Sequence, residues 1–144
     1  MRPPERGSVI RYAYLWAREE IHGKREAAKE RPTLVLAISI LEEDGKHRVY
    51  GAAITHSPPV KPADAVPLPQ NVKHQLGLDG EPAWIVTTEL NAFVWPGPDI
   101  RPIPGRQPRT FVYGRVPDAL LKRVARSFLE NRKKQLAAVV TRDA

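Results

Sequence analysis

The sequence predicts a mainly β domain with a C-terminal α-helix, built as a small antiparallel barrel. Short apolar segments rich in β-branched and aromatic residues recur between turns rich in glycine and proline. One amphipathic helical pattern lies close to the end of the chain. The length of 144 residues suits a single domain over 1–144. We therefore expect five or six strands around one core, with the helix covering an open side.

The amino-acid composition excludes several kinds of catalytic and metal site. Hydrophobic residues make up 42% of the chain, which is enough apolar surface for a folded core. The chain has no cysteine, which excludes disulfides, thiolate nucleophiles and zinc held by cysteine. Its four histidines are scattered at spacings unlike a metal motif. We expect neither a bound metal nor a cofactor.

The charge of the chain points to a polyanionic partner. Its formal net charge is +7, and such a field attracts nucleic acid while also aiding solubility. No apolar stretch has the length of a signal peptide or of a membrane span. The expected location is the cytoplasm, with no membrane contact.

In the first half of the chain, the pattern predicts a strand over 8–16 and a flexible charged loop over 17–30. Part of that loop can be helical, because its charges stand at pairing distances along a helix. A near-continuous apolar run over 33–41 predicts a central strand, introduced by Arg31-Pro32. An Asp-Gly turn then predicts an antiparallel return over 47–55.

Most of the elements predicted in the second half of the chain are shorter. Proline-rich sequence limits 65–69 to a short edge strand, and 70–76 reads as one helical turn. Strand character returns over 83–90 and 109–113. Apolar residues at intervals of three and four then predict a C-terminal helix over 117–138. An SH3-like barrel accommodates this order of elements best.

The order of four motifs resembles the MazF/PemK (Kid) toxin family over nearly the whole chain. A first strand opens with Gly7-Ser8-Val9-Ile10, and the charged loop follows it. Arg31-Pro32 then begins a hydrophobic strand, and the next strand ends in Ala53-Ile54-Thr55-His56. Each motif is short, so the resemblance depends on their order and spacing together with the terminal helix.

This resemblance implies a toxin that acts as a homodimer and cleaves single-stranded RNA without a metal. The products carry 2′,3′-cyclic phosphate and 5′-hydroxyl ends, and a small cognate antitoxin neutralises the enzyme. In the family, an arginine before the hydrophobic strand faces a threonine that ends the following strand, and these positions match Arg31 and Thr55. The resemblance therefore predicts both as catalytic residues.

The chemistry of these two side chains agrees with that role. A guanidinium at Arg31 matches two phosphate oxygens and stays charged at any relevant pH, while the hydroxyl of Thr55 donates one further hydrogen bond. The structural alternatives are that Arg31 pairs with Glu30 or Glu26, and that Thr55 caps a turn.

Proton transfer has two candidates, Glu89 and His56. Glu89 can fill the acidic position that some family members use after a later strand, although Thr87 stands where their basic partner would be. His56 can act as base or acid near neutral pH. Neighbours on a strand point to opposite faces, so Thr55 and His56 share a site only if the strand ends or bulges there.

Three further residues are candidate RNA contacts: Lys24 and Arg25 in the charged loop, and Trp95, which the following prolines and glycine could leave exposed. The sequence also allows two other functions. One is a barrel of the same fold that binds RNA or protein without cleaving. The other is a poison of DNA gyrase, like the structurally related CcdB toxins.

Overall fold

The computed structural model describes residues 2–21, 29–40 and 45–142. Within these residues the chain forms eight strands and three α-helices. The strands are β1 (Ser8–Tyr14), β2 (Lys29–Ile40), β3 (His47–Thr55), β4 (Ala65–Pro67), β5 (Trp84–Val86), β6 (Glu89–Trp95), β7 (Val112–Arg115) and β8 (Ala138–Thr141). The helices are α1 (Ala17–Ile21), α2 (Gln70–Gln75) and α3 (Asp118–Lys133).

All eight strands belong to one sheet. Its main path runs β4-β5-β3-β2-β1-β7, while β6 pairs with β3 and β8. The pairs are antiparallel except for β6 with β8. In the part of the chain that is described, this path stays open between β4 and β7. The predicted mainly β fold with a C-terminal helix is confirmed, with more strands than expected.

Strand β3 organises the sheet, and its predicted bounds are confirmed. One edge of β3 pairs with β2. The other edge pairs with β6 over His47–Gly51 and with β5 at its last two residues. The last two residues of β3 therefore pair with β5 beyond the point where the pairing with β2 stops, and the candidate site lies there.

Two hydrophobic clusters form on the two faces of the sheet. Alternation along β1 divides its side chains, so that Val9 enters one cluster while Ile10, Tyr12 and Tyr14 enter the other. The first cluster lies under α3 and includes Val124. The second is aromatic, and its rings pack with Tyr12 stacked on Phe93 at 4.2 Å between centroids.

Strand β2 begins earlier than predicted, at Lys29, so Arg31 and Pro32 lie inside it. Pro32 is tolerated because it lies opposite Arg11, whose backbone N–H donates to the carbonyl of Phe111 on the far side of β1. The proline nitrogen therefore faces away from β1, at a position where β3 does not yet pair with β2. The missing donor costs no ladder hydrogen bond.

The charged segment 17–30 was expected to be a loop. Its start is helix α1, its last two residues belong to β2, and 22–28 lie outside the described residues.

The predicted strand over 83–90 is two strands, interrupted after Val86. At the interruption Thr87 is fully buried and turns towards α3, where the side-chain amide of Asn131 donates to its carbonyl at 3.0 Å. Thr87 therefore anchors the C-terminal helix. The strand expected over 109–113 lies at Val112–Arg115.

Helix α3 ends at Lys133, not at the predicted 138, because Gln135 has a positive φ of 59° that no α-helix accommodates. Leu136, expected on the buried stripe, is exposed. Strand β8 follows and was not predicted. None of the helices described is both long and apolar enough to cross a membrane.

Candidate active site

A cavity of about 290 Å³ lies where β2 begins and β3 ends, beside the loop that follows α2. It brings together three of the four residues predicted to be catalytic. The charged and hydrogen-bonding residues that line it are Lys29, Glu30, Arg31, Thr55, His56, Lys73 and Asp79. The site therefore combines cations, a hydroxyl, an imidazole and carboxylates.

Arg31 contributes a guanidinium that is partly removed from water. Its central carbon lies 5.0 Å from the centre of the Trp16 ring. Its Nε is buried and has no hydrogen-bond partner among the described residues. Burial lowers the pKa of Arg31 from its ordinary value, because desolvation disfavours the charged form.

The structural alternatives for Arg31 were ion pairs with its neighbours. Glu30 instead pairs with Arg101, at 3.5 Å, and Glu26 lies outside the described residues. No described carboxylate therefore lies within ion-pair distance of this guanidinium, although the charge of Glu19 favours its charged form.

Thr55 is the last residue of β3. Its hydroxyl oxygen accepts a hydrogen bond from the backbone N–H of Ser57 at 3.1 Å, so the predicted turn-capping role is present. Accepting that bond leaves the hydroxyl proton available for donation into the cavity. Capping and ligand binding are compatible at this residue.

His56 shares the cavity because β3 has ended before it. Its Nδ1 lies 2.8 Å from the carbonyl oxygen of Pro82, and its Nε2 lies 3.0 Å from Oδ2 of Asp79. Both partners are acceptors, so the doubly protonated ring satisfies both contacts. The bond to Pro82 and the charge of Asp79 raise the pKa of His56 against the opposing effect of desolvation. The geometry favours the imidazolium.

Asp79 is held in turn by Lys73, a residue that is only 1% exposed. The Lys73 ammonium donates to Oδ1 of Asp79 at 3.1 Å and also to the carbonyl of Glu81. Desolvation alone would raise the pKa of Asp79, but the hydrogen bonds that it accepts from Lys73 and from the backbone N–H of Glu81, together with the nearby His56, hold it below its ordinary value. A buried lysine thus keeps a carboxylate ionised and aimed at the histidine.

Sequence reasoning missed Lys73 and Asp79, although one signal for Lys73 was present. In α2 the buried positions are Val72, Lys73 and, just after the helix, Leu76. The lysine therefore stands on the apolar stripe, where a charge requires a buried partner. No local pattern identified Asp79 as that partner.

His56, Asp79 and Glu81 could also hold a cation. One potential ligand atom from each lies within 4.8 Å of the others, and Nε2 of His56 is 3.7 Å from Oε2 of Glu81. The ammonium of Lys73 already neutralises Asp79, which weakens the attraction for a metal ion.

Glu89 lies outside the cavity. Its Oε2 accepts hydrogen bonds from the Tyr14 hydroxyl at 3.3 Å and from the backbone N–H of Ala17 at 2.9 Å. Desolvation raises the pKa of Glu89 despite these bonds. The structure therefore does not place this carboxylate beside Arg31 and Thr55.

The predicted exposure of Trp95 is wrong. The residue is 1% exposed and packs against Phe111 in the aromatic cluster, with 5.1 Å between the ring centroids. Its ring offers no stacking surface. Lys24 and Arg25 lie outside the described residues.

No protein family model, curated protein or solved structure matches the chain.

Proposed function

We propose that this protein is an endoribonuclease that cleaves single-stranded RNA without a metal, as its resemblance to the MazF/PemK (Kid) toxins implies. The observation that carries the proposal is the guanidinium of Arg31, which is partly desolvated and has no ion-pair partner within the described structure, although the charge of Glu19 acts on it. It lines one cavity with the hydroxyl of Thr55 and the imidazole of His56. A phosphodiester would supply the missing negative charge.

In the proposed reaction, the 2′-oxygen of the RNA forms a bond to phosphorus while the bond from phosphorus to the 5′-oxygen breaks. Arg31 and Thr55 stabilise the charge that grows on the other phosphate oxygens. The His56 imidazolium exchanges its bond to Asp79 for one to the departing 5′-oxygen and protonates it. The proton of the 2′-hydroxyl passes to water. The products are a 2′,3′-cyclic phosphate and a 5′-hydroxyl.

The proposal includes the finer fold and the partners that the resemblance implies. The fold is an SH3-like barrel, which the placement of β3 between β2, β5 and β6 supports. The partners are single-stranded RNA, a second copy of the chain and a small cognate antitoxin, in the cytoplasm. The net charge of +7 supports the polyanionic substrate.

The decisive experiment incubates the purified protein in EDTA with a long unstructured RNA. We expect fragments with 2′,3′-cyclic phosphate and 5′-hydroxyl ends, and no cleavage where a 2′-deoxynucleotide replaces the scissile ribonucleotide. The matched variant is Arg31→Ala, which should leave the RNA intact. Intact RNA with the wild type, cleavage that returns only with added metal, or an active Arg31→Ala protein would contradict the proposal.

A second candidate is a barrel that binds RNA without cutting it. It is favoured by the engagement of both ring nitrogens of His56 and by the position of Glu89 outside the cavity. In that case gel-shift measurements would detect binding that depends on Arg31, while the bound RNA stays intact.

A further inference from the structure

A second cavity, of about 190 Å³, adjoins the first. The two share Thr55, so a ligand bound at the Thr55 hydroxyl can extend into both. Apolar and polar residues contribute equally to its walls: Trp16, Pro58 and Val86 are among the apolar ones, and Arg18 and Asp64 are the charged ones. Its size suits one planar base.

Trp16 gives this cavity a rigid aromatic wall. The ring packs edge-on against Tyr14, with 5.1 Å between the centroids. The guanidinium of Arg31 lies 5.0 Å from the ring centre, and that of Arg18 lies 5.8 Å from it. Trp16 therefore lines the second cavity and contacts Arg31, which lines the first.

Asp64 supplies a carboxylate to the second cavity, and Arg18 supplies a guanidinium. Asp64 is partly buried, and its Oδ2 accepts a hydrogen bond of 3.3 Å from the backbone N–H of Lys61. Across the described residues no cation lies within ion-pair distance of this carboxylate. It therefore retains acceptor capacity for a ligand.

An ionised carboxylate accepts hydrogen bonds and donates none, so it discriminates among the four bases by the donors that each base offers. Guanine offers two adjacent donors, N1–H and the N2 amino group, on its Watson–Crick edge. Adenine and cytosine offer one donor beside an acceptor, and uracil offers one donor between two acceptors. An ionised carboxylate can accept both guanine donors and repels the acceptors of the other bases.

We infer that the second cavity binds the nucleobase next to the scissile phosphate, with Trp16 as one wall, and that Asp64 selects guanine. This inference rests on the proposed function, because it takes the first cavity as the phosphate site. It adds a specificity-determining residue and a preferred base to the cleavage reaction.

The test uses short single-stranded RNAs that differ only in the base on the 5′ or the 3′ side of the cleaved bond. With the wild type we expect guanine at one of these positions to be cut about tenfold faster than any other base, as a bidentate contact provides. Asp64→Asn should reduce this preference to less than about threefold, because an amide cannot accept both donors. Asp118→Asn, an exposed carboxylate on α3, is the matched control and should keep the preference.

Trp16 is not varied, since it also contacts Arg31. A guanine preference that survives Asp64→Asn, or a wild type with no guanine preference at either position, would overturn the inference while leaving the proposed nuclease intact. If no RNA is cut, the proposed function fails. The inference is then decided by binding of the same RNAs in fluorescence anisotropy, where Asp64→Asn must remove a guanine preference.

Discussion

Arg31 and Arg142 are both withdrawn from solvent, and each lies near an aromatic ring, yet their surroundings differ. Arg142 has its terminal nitrogens engaged, one by the carbonyl of Ala13 at 2.8 Å and the other by the carboxylate of Asp99 at 3.1 Å. The Nε of each arginine is buried without a hydrogen-bond partner among the described residues, but no bond of the kind made by Arg142 joins the guanidinium of Arg31 to another described residue. Arg142 is ion-paired within the protein, whereas the charge of Glu19 acts on Arg31 without an ion pair.

This difference indicates that Arg142 has a structural role and that Arg31 is suited to binding a ligand. Burying a cation is costly unless an anion and hydrogen bonds compensate for the lost water. At Arg142 the fold supplies that compensation. At Arg31 the cost is only partly offset by Trp16, which makes the position favourable for an incoming phosphate.

The largest expected effect is on catalysis, at Arg31. Replacing it with methionine keeps a side chain of similar length and removes the charge. We expect the cleavage rate to fall about 10²–10³-fold, the usual cost of losing one group that stabilises transition-state charge. The free energy of unfolding should change by less than about 1 kcal/mol, because only the contact with Trp16 is lost. Single-turnover cleavage and urea unfolding measure the two effects. A large loss of stability would show that Arg31 is structural.

The opposite result is expected for Arg142→Met. The substitution leaves the carboxylate of Asp99 and the carbonyl of Ala13 without their donor. We expect a loss of about 3 kcal/mol in the free energy of unfolding, as for other broken buried ion pairs. Cleavage by the protein that remains folded should stay within threefold of wild type. Urea unfolding followed by tryptophan fluorescence measures the stability, and an unchanged midpoint would remove the contrast between the two arginines.

A smaller effect is expected from Asp79→Asn, which tests how His56 is charged. The pKa of His56 is raised in the folded state, so the charged ring stabilises the native protein below its unfolded pKa. That contribution disappears as the pH rises through the folded pKa. The same imidazolium is the proposed acid, so cleavage should also decline on the alkaline side as the ring loses its proton. Asp79→Asn removes a negative charge beside the ring and should move this decline to lower pH. The rate at neutral pH should fall about tenfold or less. A pH–rate profile that does not move would remove Asp79 from this role.

The smallest effect is expected from Glu89→Gln. Its carboxylate accepts bonds from Tyr14 and Ala17 outside the cavity, and the amide oxygen of glutamine can still accept them. Cleavage should stay within threefold of wild type. A loss comparable to that of Arg31→Met would restore Glu89 as a proton-transfer group and would require the two parts of the site to come together when RNA binds.

Local patterns predicted the parts of the fold that local chemistry determines. The Asp-Gly turn identified β3, and Gly77 marked the end of the helical turn that is α2. Strand β8 escaped prediction because it follows an amphipathic helix without a clear turn signal. Its parallel pairing with β6 depends on residues nearly fifty positions earlier.

The candidate site was predictable only in part, for the same reason. Arg31 and Thr55 stand at matched motif positions, His56 directly follows Thr55, and the cavity contains all three. The partnership of His56 with Asp79 spans 23 residues and depends on the loop after α2. Trp95, in contrast, was predicted as a site residue and is not one. The neighbouring prolines suggested that it is exposed, but the fold packs its ring against Phe111.

The pairing of β8 with β6 has a practical consequence for handling the protein. A chain shortened just after α3 would leave one edge of β6 without its hydrogen-bonding neighbour, over a segment that includes Leu90 and Ala92. Unpaired apolar edges recruit strands from other molecules and promote aggregation. Material for assays should therefore retain residues 138–142.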